Sequence, residues 1–399
     1  MSEWKKVPLD KMGVVSRGKS KHRPRNDARL FGGRYPFIQT GDIGAAGLYV
    51  QDYSQTYNEE GLAQSKLWPK DTLCVTIAAN IADTALLAFP ACFPDSIMGF
   101  VPYENVSNVK YVKYCFDILK KDCQQISQGT AQDNLSWKKL STILFPCPPI
   151  EVQNRIVDIL SRYDSLIENY QKQIKLLEEA AQRLYKEWFV DFRFPGHENT
   201  KIVDGVPEGW AFYRIDNVFK TVLGGTPSRA KSNYWGGNIP WINSGEINKL
   251  RIINPSEMIT KEGYDNSATK LMPIHTTILA ITGATLGQVS YTEIETCANQ
   301  SVVGIIDESK QMNEYLYLNI SNNILSIVNK ATGGAQQHIN KDIVNAYPFL
   351  LPSKDVLDRF KKLVAPMFRQ VKNNLIQIES LIEARDRLLP KLMSGEIEV

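Results

Sequence analysis

The chain has 399 residues and a net charge of +3, which allows two or three domains with sizeable cores and does not by itself identify a partner. It contains no run of 18 apolar residues, and its start, MSEWKKVPLDKM, lacks the apolar segment of a secretory signal, so we predict a cytoplasmic protein without membrane contact. Six cysteines without a C-x-x-C pair indicate reduced thiols, which argues against a disulfide framework or a zinc site, and we predict no metal site.

The first motif along the chain is GVVSRGKS (residues 13–20), which matches the phosphate-loop pattern G-x-x-x-x-G-K-S. A working phosphate loop needs a buried strand before it and a helix directly after it, because the loop amides and the helix N-terminus hold the phosphates. The preceding WKKVPLDKM is polar and contains Pro8, and Pro24 stands where the helix would run. An NTPase that uses the Gly13–Ser20 loop is therefore only a remote alternative.

The same region is rich in positive charge. Residues 1–35 carry ten Lys or Arg and three Asp or Glu, most densely in RGKSKHRPR. Such a run favours contact with nucleic-acid phosphates through counterion release, and a solvated surface loop is the alternative. The candidate DNA-binding residues here are Arg17, Lys19, Lys21, Arg23 and Arg25.

The sequence is written twice. PFIQTGDI (36–43) matches PWINSGEI (240–247), and the pattern C-x-x-x-S-x-x-G at 92–99 recurs at 297–304, with an offset of 204 to 206 residues. Runs such as TLCVTIAA (72–79) and TTILAITG (276–283) predict strands, and residues 105–127 and 313–329 predict helices. Each half is therefore predicted to contain an α+β domain.

Amide and hydroxyl side chains in glycine-bearing loops are candidates for reading bases, because Asn and Gln can bond adenine and Arg can bond guanine in pairs of hydrogen bonds. The candidates in the first copy are Gln39, Thr40, Gln128, Thr130, Gln132 and Asn134. Those in the second copy are Asn243, Ser244, Gln336, Gln337 and His338. The second-copy loop analogous to RGKSKHRPR adds the DNA-binding candidates Ser228, Arg229, Lys231, Asn233 and Tyr234. For residues 39–40 and 243–244, which precede glycines, a turn or helix-cap role is an equal alternative.

Each half ends in a long apolar repeat whose spacing alternates between four and three residues, which is typical of a coiled-coil helix. The predicted seam residues are Ile156, Leu160, Ile167, Ile174, Leu177 and Leu184, then Phe360, Val364, Val371, Ile378, Leu381 and Leu388. Because the repeat outlasts an ordinary globular helix and occurs twice, we predict that the two helices pair as an antiparallel coiled coil with pseudo-twofold symmetry. The alternative is that each packs on its own domain. Asn374 and Arg385 interrupt the second seam, and Pro366 is expected to kink that helix or mark its first turn.

These motifs carry a family resemblance. GGTPSRAKSNYWGGNIPWINSGEI, ATGGAQQHIN and RLLPKLMSGEI in the second half, with YPFIQTGDI, QGTAQDNLS, PPIEVQNRIVDIL and LYKEWFVDFRFPG in the first, resemble the DNA-specificity subunit of type I restriction-modification systems. The resemblance covers nearly the whole chain. The first half departs from it at the Gly-Gly-Thr-Pro-Ser element, which here reads RGKSK (17–21) and produces the phosphate-loop match.

The resemblance implies two tandem target-recognition domains of mixed α and β structure, at 1–150 and, with its linker, at 196–352. It implies a long spacer helix after each, at 151–195 and 353–399. Such a chain would read a split, asymmetric sequence in double-stranded DNA with a fixed gap, and would dock two modification subunits and associate with restriction subunits.

The resemblance also implies that the chain is not an enzyme and binds no cofactor. S-adenosylmethionine, ATP and magnesium would be bound by the partners, which carry adenine methyltransferase and ATP-dependent endonuclease activity. A coiled-coil scaffold protein without a nucleic-acid role remains the alternative.

Overall fold

A computed structural model describes residues 4–78, 80–127, 135–329 and 338–399. The chain forms two compact units, one made of residues up to 169 together with 378–399, the other of residues 170–377. The divisions fall inside two long helices, so each unit contains one mixed domain and a segment of each long helix. The α+β content predicted from the sequence is confirmed.

The domain of the first unit contains nine strands among its described residues: β1 Lys6–Pro8, β2 Gly13–Arg17, β3 Phe31–Phe37, β4 Tyr49–Val50, β5 Gln55–Tyr57, β6 Leu73–Thr76, β7 Thr84–Leu87, β8 Ile97–Pro102 and β9 Leu144–Pro146. The central sheet has the order β2-β8-β6-β7-β4, and only the β4–β7 pair is parallel. Strands β3 and β5 form a separate antiparallel ribbon, and β1 pairs with β9. The strongly buried β6 and β8 read as apolar runs because both of their faces are covered.

The helices of this domain are short except one. They are α1 Thr40–Ala45, α2 Glu59–Ala63, α3 Val109–Ser127 and α4 Trp137–Leu140, with 3-10 turns at Leu9–Lys11 and Ala28–Leu30. The amphipathic α3 buries Tyr111 and Phe116 in a core that also contains Phe100 and Phe145. This core includes residues of both long helices, so the domain is not closed without them.

The domain of the second unit repeats this topology. Its strands are β10 Ile202–Val203, β11 Val206–Pro207, β12 Ala211–Arg214, β13 Lys220–Leu223, β14 Trp235–Ile242, β15 Arg251–Ile252, β16 Glu257–Ile259, β17 Thr277–Ala280, β18 Val289–Thr292, β19 Cys297–Ala298, β20 Val302–Ile306 and β21 Pro348–Leu351. The central sheet has the order β13-β20-β17-β18-β15, again with one parallel pair, β15–β18. Strands β14 and β16 form the equivalent ribbon, and β19 runs parallel to β14.

The helices of the second domain are α6 Ile215–Val218, α7 Lys261–Asp265, α8 Asn313–Val328 and α9 Lys341–Asn345, with 3-10 segments at His197–Asn199, Ser232–Tyr234, Ser244–Asn248 and Gly283–Thr285. Helix α8 buries Tyr315, Leu316 and Ile320 against the central sheet, as α3 does in the first domain. The remaining pairs, β10–β11 and β12–β21, lie beside the linker and the end of the domain.

Two long helices complete the units. They are α5 Ile150–Tyr185, which continues as a π-helical turn over Lys186–Val190, and α10 Lys354–Met393. Pro366 lies in the interior of α10 rather than in its first turn. Within the described residues, no helix has both the length and the apolar character needed to cross a membrane.

Candidate functional site

The phosphate-loop match folds as something other than a phosphate loop. Residues 13–17 form strand β2 at the edge of the central sheet. The backbone N–H of Gly18 donates to the carbonyl of Ile97 at 2.8 Å, and that of Lys19 donates to the carbonyl of Phe93 at 3.1 Å. Amides that are already hydrogen-bonded to carbonyls cannot hold a phosphate, and in the described part of the chain no α-helix begins before Thr40. The geometry therefore removes the basis for an NTPase interpretation.

The basic loop that follows is exposed and held by its backbone. The N–H groups of Lys21 and His22 donate to Oε1 of Gln64 at 2.6 and 3.0 Å, and Oγ of Ser65 donates to the carbonyl of Lys19 at 2.7 Å. This tethering leaves the side chain of Lys19 in solvent. The loop backbone is thus fixed by hydrogen bonds, while the Lys19 side chain is exposed to solvent.

The five basic candidates, Arg17 at the end of β2 and the four in this loop, divide into two groups. Arg25 lies 2.6 Å and Arg23 lies 3.8 Å from the carboxylate of Asp95, so both charges are partly offset. No described side chain pairs with the exposed cations of Arg17, Lys19 and Lys21. These three residues are the better candidates for binding an anion.

The residues before the paired glycines act as helix caps in both domains. Gln39 precedes α1 in a capping box with Asp42, whose carboxylate accepts from the Gln39 N–H at 2.7 Å. Asn243 caps the 3-10 segment with Glu246 in the same way, and its Oδ1 accepts from the N–H of Gly245 at 2.7 Å. The half-buried Thr40 and Ser244 are the first residues of these segments. The capping role leaves part of the Gln39 amide free for another partner.

That partner lies on the two-stranded ribbon. Nε2 of Gln39 donates to Oε1 of Gln55, at the start of β5, at 2.7 Å, and both side chains are exposed. In the second domain the ribbon residue at the start of β16 is Glu257, and it holds Arg229 instead. Equivalent ribbons thus carry an amide pair in one domain and a charged pair in the other.

Arg229 is held on three sides. Both of its terminal nitrogens donate to the two oxygens of Glu257, one of them at 2.9 Å, and its guanidinium lies 3.6 Å from the ring centre of Trp235 and 5.0 Å from that of Trp241. Hydrogen bonding from Arg229 holds the pKa of Glu257 below its ordinary value, although partial burial opposes the shift. The guanidinium is therefore rigid before any ligand arrives.

The neighbouring candidates are mostly engaged within the loop. The carbonyl of Ser228 accepts from Nε1 of Trp235 at 3.2 Å, and Asn233 donates to Glu262 at 2.9 Å. Lys231 donates to the hydroxyl of Tyr234 at 2.8 Å, and the Tyr234 ring is buried. A base could not stack on this ring unless the loop moved.

The remaining base-reading candidates are largely beyond what the structure describes. Gln128, Thr130, Gln132, Asn134, Gln336 and Gln337 all lie outside the described residues. His338 is described, is exposed, and forms an isolated bridge with Thr282. The base-reading role of these residues therefore remains a prediction.

The predicted seam residues line one face of each long helix. Ile156, Leu160, Ile167 and Ile174 of α5, with Phe360, Val364, Val371 and Ile378 of α10, are buried, and Leu177, Leu184, Leu381 and Leu388 are half-buried. Within the first unit Arg385 of α10 bonds Asp164 of α5 at 2.7 Å, and within the second Asn374 donates to Gln173 at 3.2 Å. Each polar residue of the α10 repeat thus faces a polar residue of α5.

Sequence reasoning missed three residues of these surfaces. Gln55 and Glu257 lie at equivalent positions of the ribbons, and only the fold brings them to Gln39 and Arg229. Arg251 is an unremarkable member of the run KLRIINPS, yet its side chain is completely buried. No local pattern in a single sequence identifies such long-range partners.

The duplicated architecture has counterparts among known families. The family profile described as "Type I restriction modification DNA specificity domain" matches residues 1–179 and again residues 207–384. The two matches together cover most of the chain and reproduce the duplication seen in the sequence.

Two relatives align over the whole chain. The type I restriction enzyme MjaIX specificity subunit of Methanocaldococcus jannaschii is 27% identical, with 100% of this chain and 94% of that protein covered. The type I restriction enzyme HindI specificity subunit of Haemophilus influenzae is 25% identical, with 100% of both chains covered.

A solved structure shares the fold. The crystal structure of a type I restriction-modification system S subunit from M. genitalium matches with a TM-score of 0.62 at 15% identity, covering 98% of this chain and 96% of that chain. At this identity the likeness concerns the fold alone.

Proposed function

The chain belongs to the family of type I restriction-modification DNA specificity domains, and we propose that it is the non-catalytic subunit that recognises DNA sequence in such a complex. It reads a split, asymmetric target in double-stranded DNA, one part with each α+β domain. The two long helices act as the spacer that keeps the gap between the parts constant.

One observation carries this proposal: two domains with the same topology carry different polar groups at an equivalent position of the ribbon. The ribbons at β3–β5 and β14–β16 have the same order and sense, yet the residue that begins the second ribbon strand is Gln55, which bonds Gln39, in one domain and Glu257, which holds Arg229, in the other. Amides suit adenine and guanidinium suits guanine, so one scaffold with two sets of polar groups favours two different half-sites.

Contacts inside each unit support antiparallel pairing of the spacer helices. Residue numbers fall along α10 as they rise along α5, in the pairs Asp164 with Arg385, Gln173 with Asn374 and Trp188 with Phe360. The buried seam residues support the same arrangement, because a pairing helix buries one apolar stripe. We propose that the pair has pseudo-twofold symmetry, which the duplication favours.

We further propose that the spacer and the domains together receive two modification subunits, and that restriction subunits join this complex. Those partners supply the chemistry: S-adenosylmethionine, ATP and magnesium are bound by them and not by this chain. An enzyme that modifies the chromosome acts in the cytoplasm, so we place the complex there.

The decisive experiment is methylome sequencing of a strain that carries this chain with its modification partner. We expect one bipartite motif with a constant gap. Replacing residues 1–150 with the corresponding domain of a relative should change one half-site and leave the other half-site unchanged. Methylation without any sequence context would refute the proposal.

The scaffold alternative predicts a different result. A coiled-coil protein without a nucleic-acid role would bind its partners but give no sequence-selective, salt-dependent binding of duplex DNA. Measuring duplex binding by the purified complex, with a scrambled duplex as control, separates the two. Native mass spectrometry of the same sample tests the expected ratio of two modification subunits to one chain.

A further inference from the structure

A buried arginine joins the second domain to α5. Arg251 of β15 has a side-chain exposure of 0%, and its guanidinium lies 4.5 to 5.2 Å from the ring centres of Tyr291, Tyr317 and Phe368. One terminal nitrogen donates to Glu178 of α5, whose side chain is 8% exposed. A charge removed from water needs an opposite charge and hydrogen bonds around it, so β15 and this stretch of α5 are matched to each other.

A second buried charge joins the same domain to α10. The carboxylate of Glu293 is 3% exposed and lies 3.2 Å from Nζ of Lys372 on α10 and 3.7 Å from Nε2 of His275. Its other oxygen lies 4.0 Å from Nε of Arg251. The second domain therefore offers a cation to α5 and an anion to α10, and we call this set of contacts the second joint.

In the first unit, different side chains join the domain to the two long helices. Tyr114 of α3 donates at 2.5 Å to Asp164 of α5, whose other oxygen accepts from Arg385 of α10 at 2.7 Å. Gln51, next to β4, donates to Glu168 of α5. Here the domain offers a hydroxyl and an amide to two carboxylates on α5, and we call this set the first joint.

The repeat relates each helix position used by one joint to a position of different chemistry on the other helix. Helices α5 and α10 begin 204 residues apart, at Ile150 and Lys354, which is the offset of the sequence repeat. Four pairs of positions are related in this way: Asp164 and Phe368, Glu168 and Lys372, Ile382 and Glu178, Arg385 and Ala181. An acid is replaced by an aromatic ring, an acid by a base, an apolar residue by an acid, and a base by a small apolar residue.

We propose that the two joints specify position, so that each domain packs only on its own segments of the long helices. With the second domain in the first position, Arg251 would face Ile382 and Glu293 would face Glu168. The first contact leaves a buried charge unpaired, and the second sets two carboxylates against each other, which disfavours both.

The contacts of the two joints therefore determine the order of the two domains along the chain. This assignment concerns the fit of the domains to the helices and does not depend on DNA binding.

The test is a four-way exchange in the full-length chain. One variant exchanges residues 1–149 with residues 205–353, which carry the two domains at the repeat offset. A second variant keeps the domain order and exchanges the four pairs of equivalent helix residues: Asp164→Phe, Glu168→Lys, Glu178→Ile, Ala181→Arg, Phe368→Asp, Lys372→Glu, Ile382→Glu and Arg385→Ala. A third combines both changes, and the unaltered chain is the reference.

Each variant is studied by thermal unfolding and by hydrogen exchange. The strand followed by hydrogen exchange is β15, which carries Arg251 of the native chain and gives peptides that can be identified by their sequence in every variant. We expect either exchange alone to lower the melting temperature by about 10 °C and to reduce protection of this strand at least tenfold. The combined variant should regain most of both.

Two results would overturn the proposal. If the chain with exchanged domains and native helices is as stable and as protected as the reference, the joints do not discriminate between the domains. If the combined variant stays as unstable as the single exchanges, contacts elsewhere decide the order.

Discussion

Arg385 of α10 and Asp164 of α5 form an ion pair inside the first unit, with 2.7 Å between Nη1 and Oδ1. Arg385 is one of two polar residues that interrupt the apolar repeat of α10, and Asp164 is a nearly buried carboxylate that also accepts from Tyr114. An ion pair at an otherwise apolar seam stabilises one register over the others, because every other register leaves a buried charge unpaired.

Removing Arg385 should therefore cost far more than removing an arginine nearby. Arg385→Ala leaves Asp164 buried without its cation, and we expect the free energy of unfolding to fall by about 3 kcal/mol. Arg387→Ala is the matched control, because Arg387 is exposed and pairs one turn away with the exposed Glu383. Its loss should stay within about 0.5 kcal/mol. Urea denaturation of both variants gives the comparison, and equal losses would contradict the role assigned to Arg385.

The cations of the first-domain loop should differ in their contribution to DNA binding. Lys19 is exposed and unpaired among the described residues, so it can neutralise a phosphate, whereas Arg25 is held by Asp95. We expect Lys19→Ala to weaken binding of the complex to all duplexes alike and to reduce the slope of log K against log salt by about one. Arg25→Ala should change that slope less. The order of the two effects is the result to check, and the reverse order would be inconsistent with this surface.

The pair of Arg229 and Glu257 should make stability depend on pH in the acid range. The folded pKa of Glu257 is lowered by its hydrogen bonds from Arg229, so its contribution is present above the ordinary glutamate pKa of 4.5 and is lost as pH falls through the lower folded value. The difference in melting temperature between the native chain and Glu257→Gln should be constant from pH 8 to pH 6 and shrink below about pH 4.5.

A control for this experiment lies on α7. Lys261 and Asp265 form an exposed pair one turn apart, and Asp265→Asn is expected to change the melting temperature little at any pH. A difference for Glu257→Gln that grows toward acid would mean that ionised Glu257 does not stabilise the folded chain.

The cysteines should differ in reactivity according to burial. Burial raises the pKa of Cys297 to about 11 and also raises the pKa of Cys92 and Cys147, but Cys147 is only half-buried and Lys5 opposes its shift. Because the thiolate is the reacting form, we expect iodoacetamide at pH 8 to modify Cys147 at least tenfold faster than Cys92 or Cys297. Peptide mapping by mass spectrometry measures the rates, and all six thiols should react in denaturant. Rapid labelling of Cys92 or Cys297 in the folded chain would show that these sites open.

The sequence predicted what depends on periodicity and repetition. An apolar repeat that continues over many turns predicts the long helices, and the duplication predicts that both halves share one topology. The cap role of Gln39 and Asn243 was also within reach, since QTGD and NSGE place an acid three residues after the cap, which is the spacing of a capping box.

What the sequence could not reveal are pairings set by the tertiary fold. Glu257 meets Arg229 because two strands of a ribbon lie side by side, and Arg251 meets Glu178 because a domain packs on a helix 73 residues away in sequence. Propensity and spacing describe a residue and its near neighbours, and neither contains the register between distant elements. A buried arginine and a surface arginine therefore look alike in the sequence.

The spacer proposal predicts the outcome of lengthening both helices together. Inserting one heptad after Tyr170 of α5 and one after Asn374 of α10 adds about 10 Å to each helix. The insertion points lie between the joints, so the contacts of Asp164 with Arg385 and the contacts of Glu178 with Arg251 are kept. We expect the gap in the modified sequence to grow by about three base pairs, at about 3.4 Å each, while both half-sites stay the same.

The matched control inserts the heptad into α5 alone, which leaves α10 too short to pair along its whole length and should abolish modification of any single motif. Methylome sequencing reports gap and half-sites together. Changed half-sites with an unchanged gap would show that the helices do not set the distance, because a spacer that only lengthens cannot alter which bases each domain contacts.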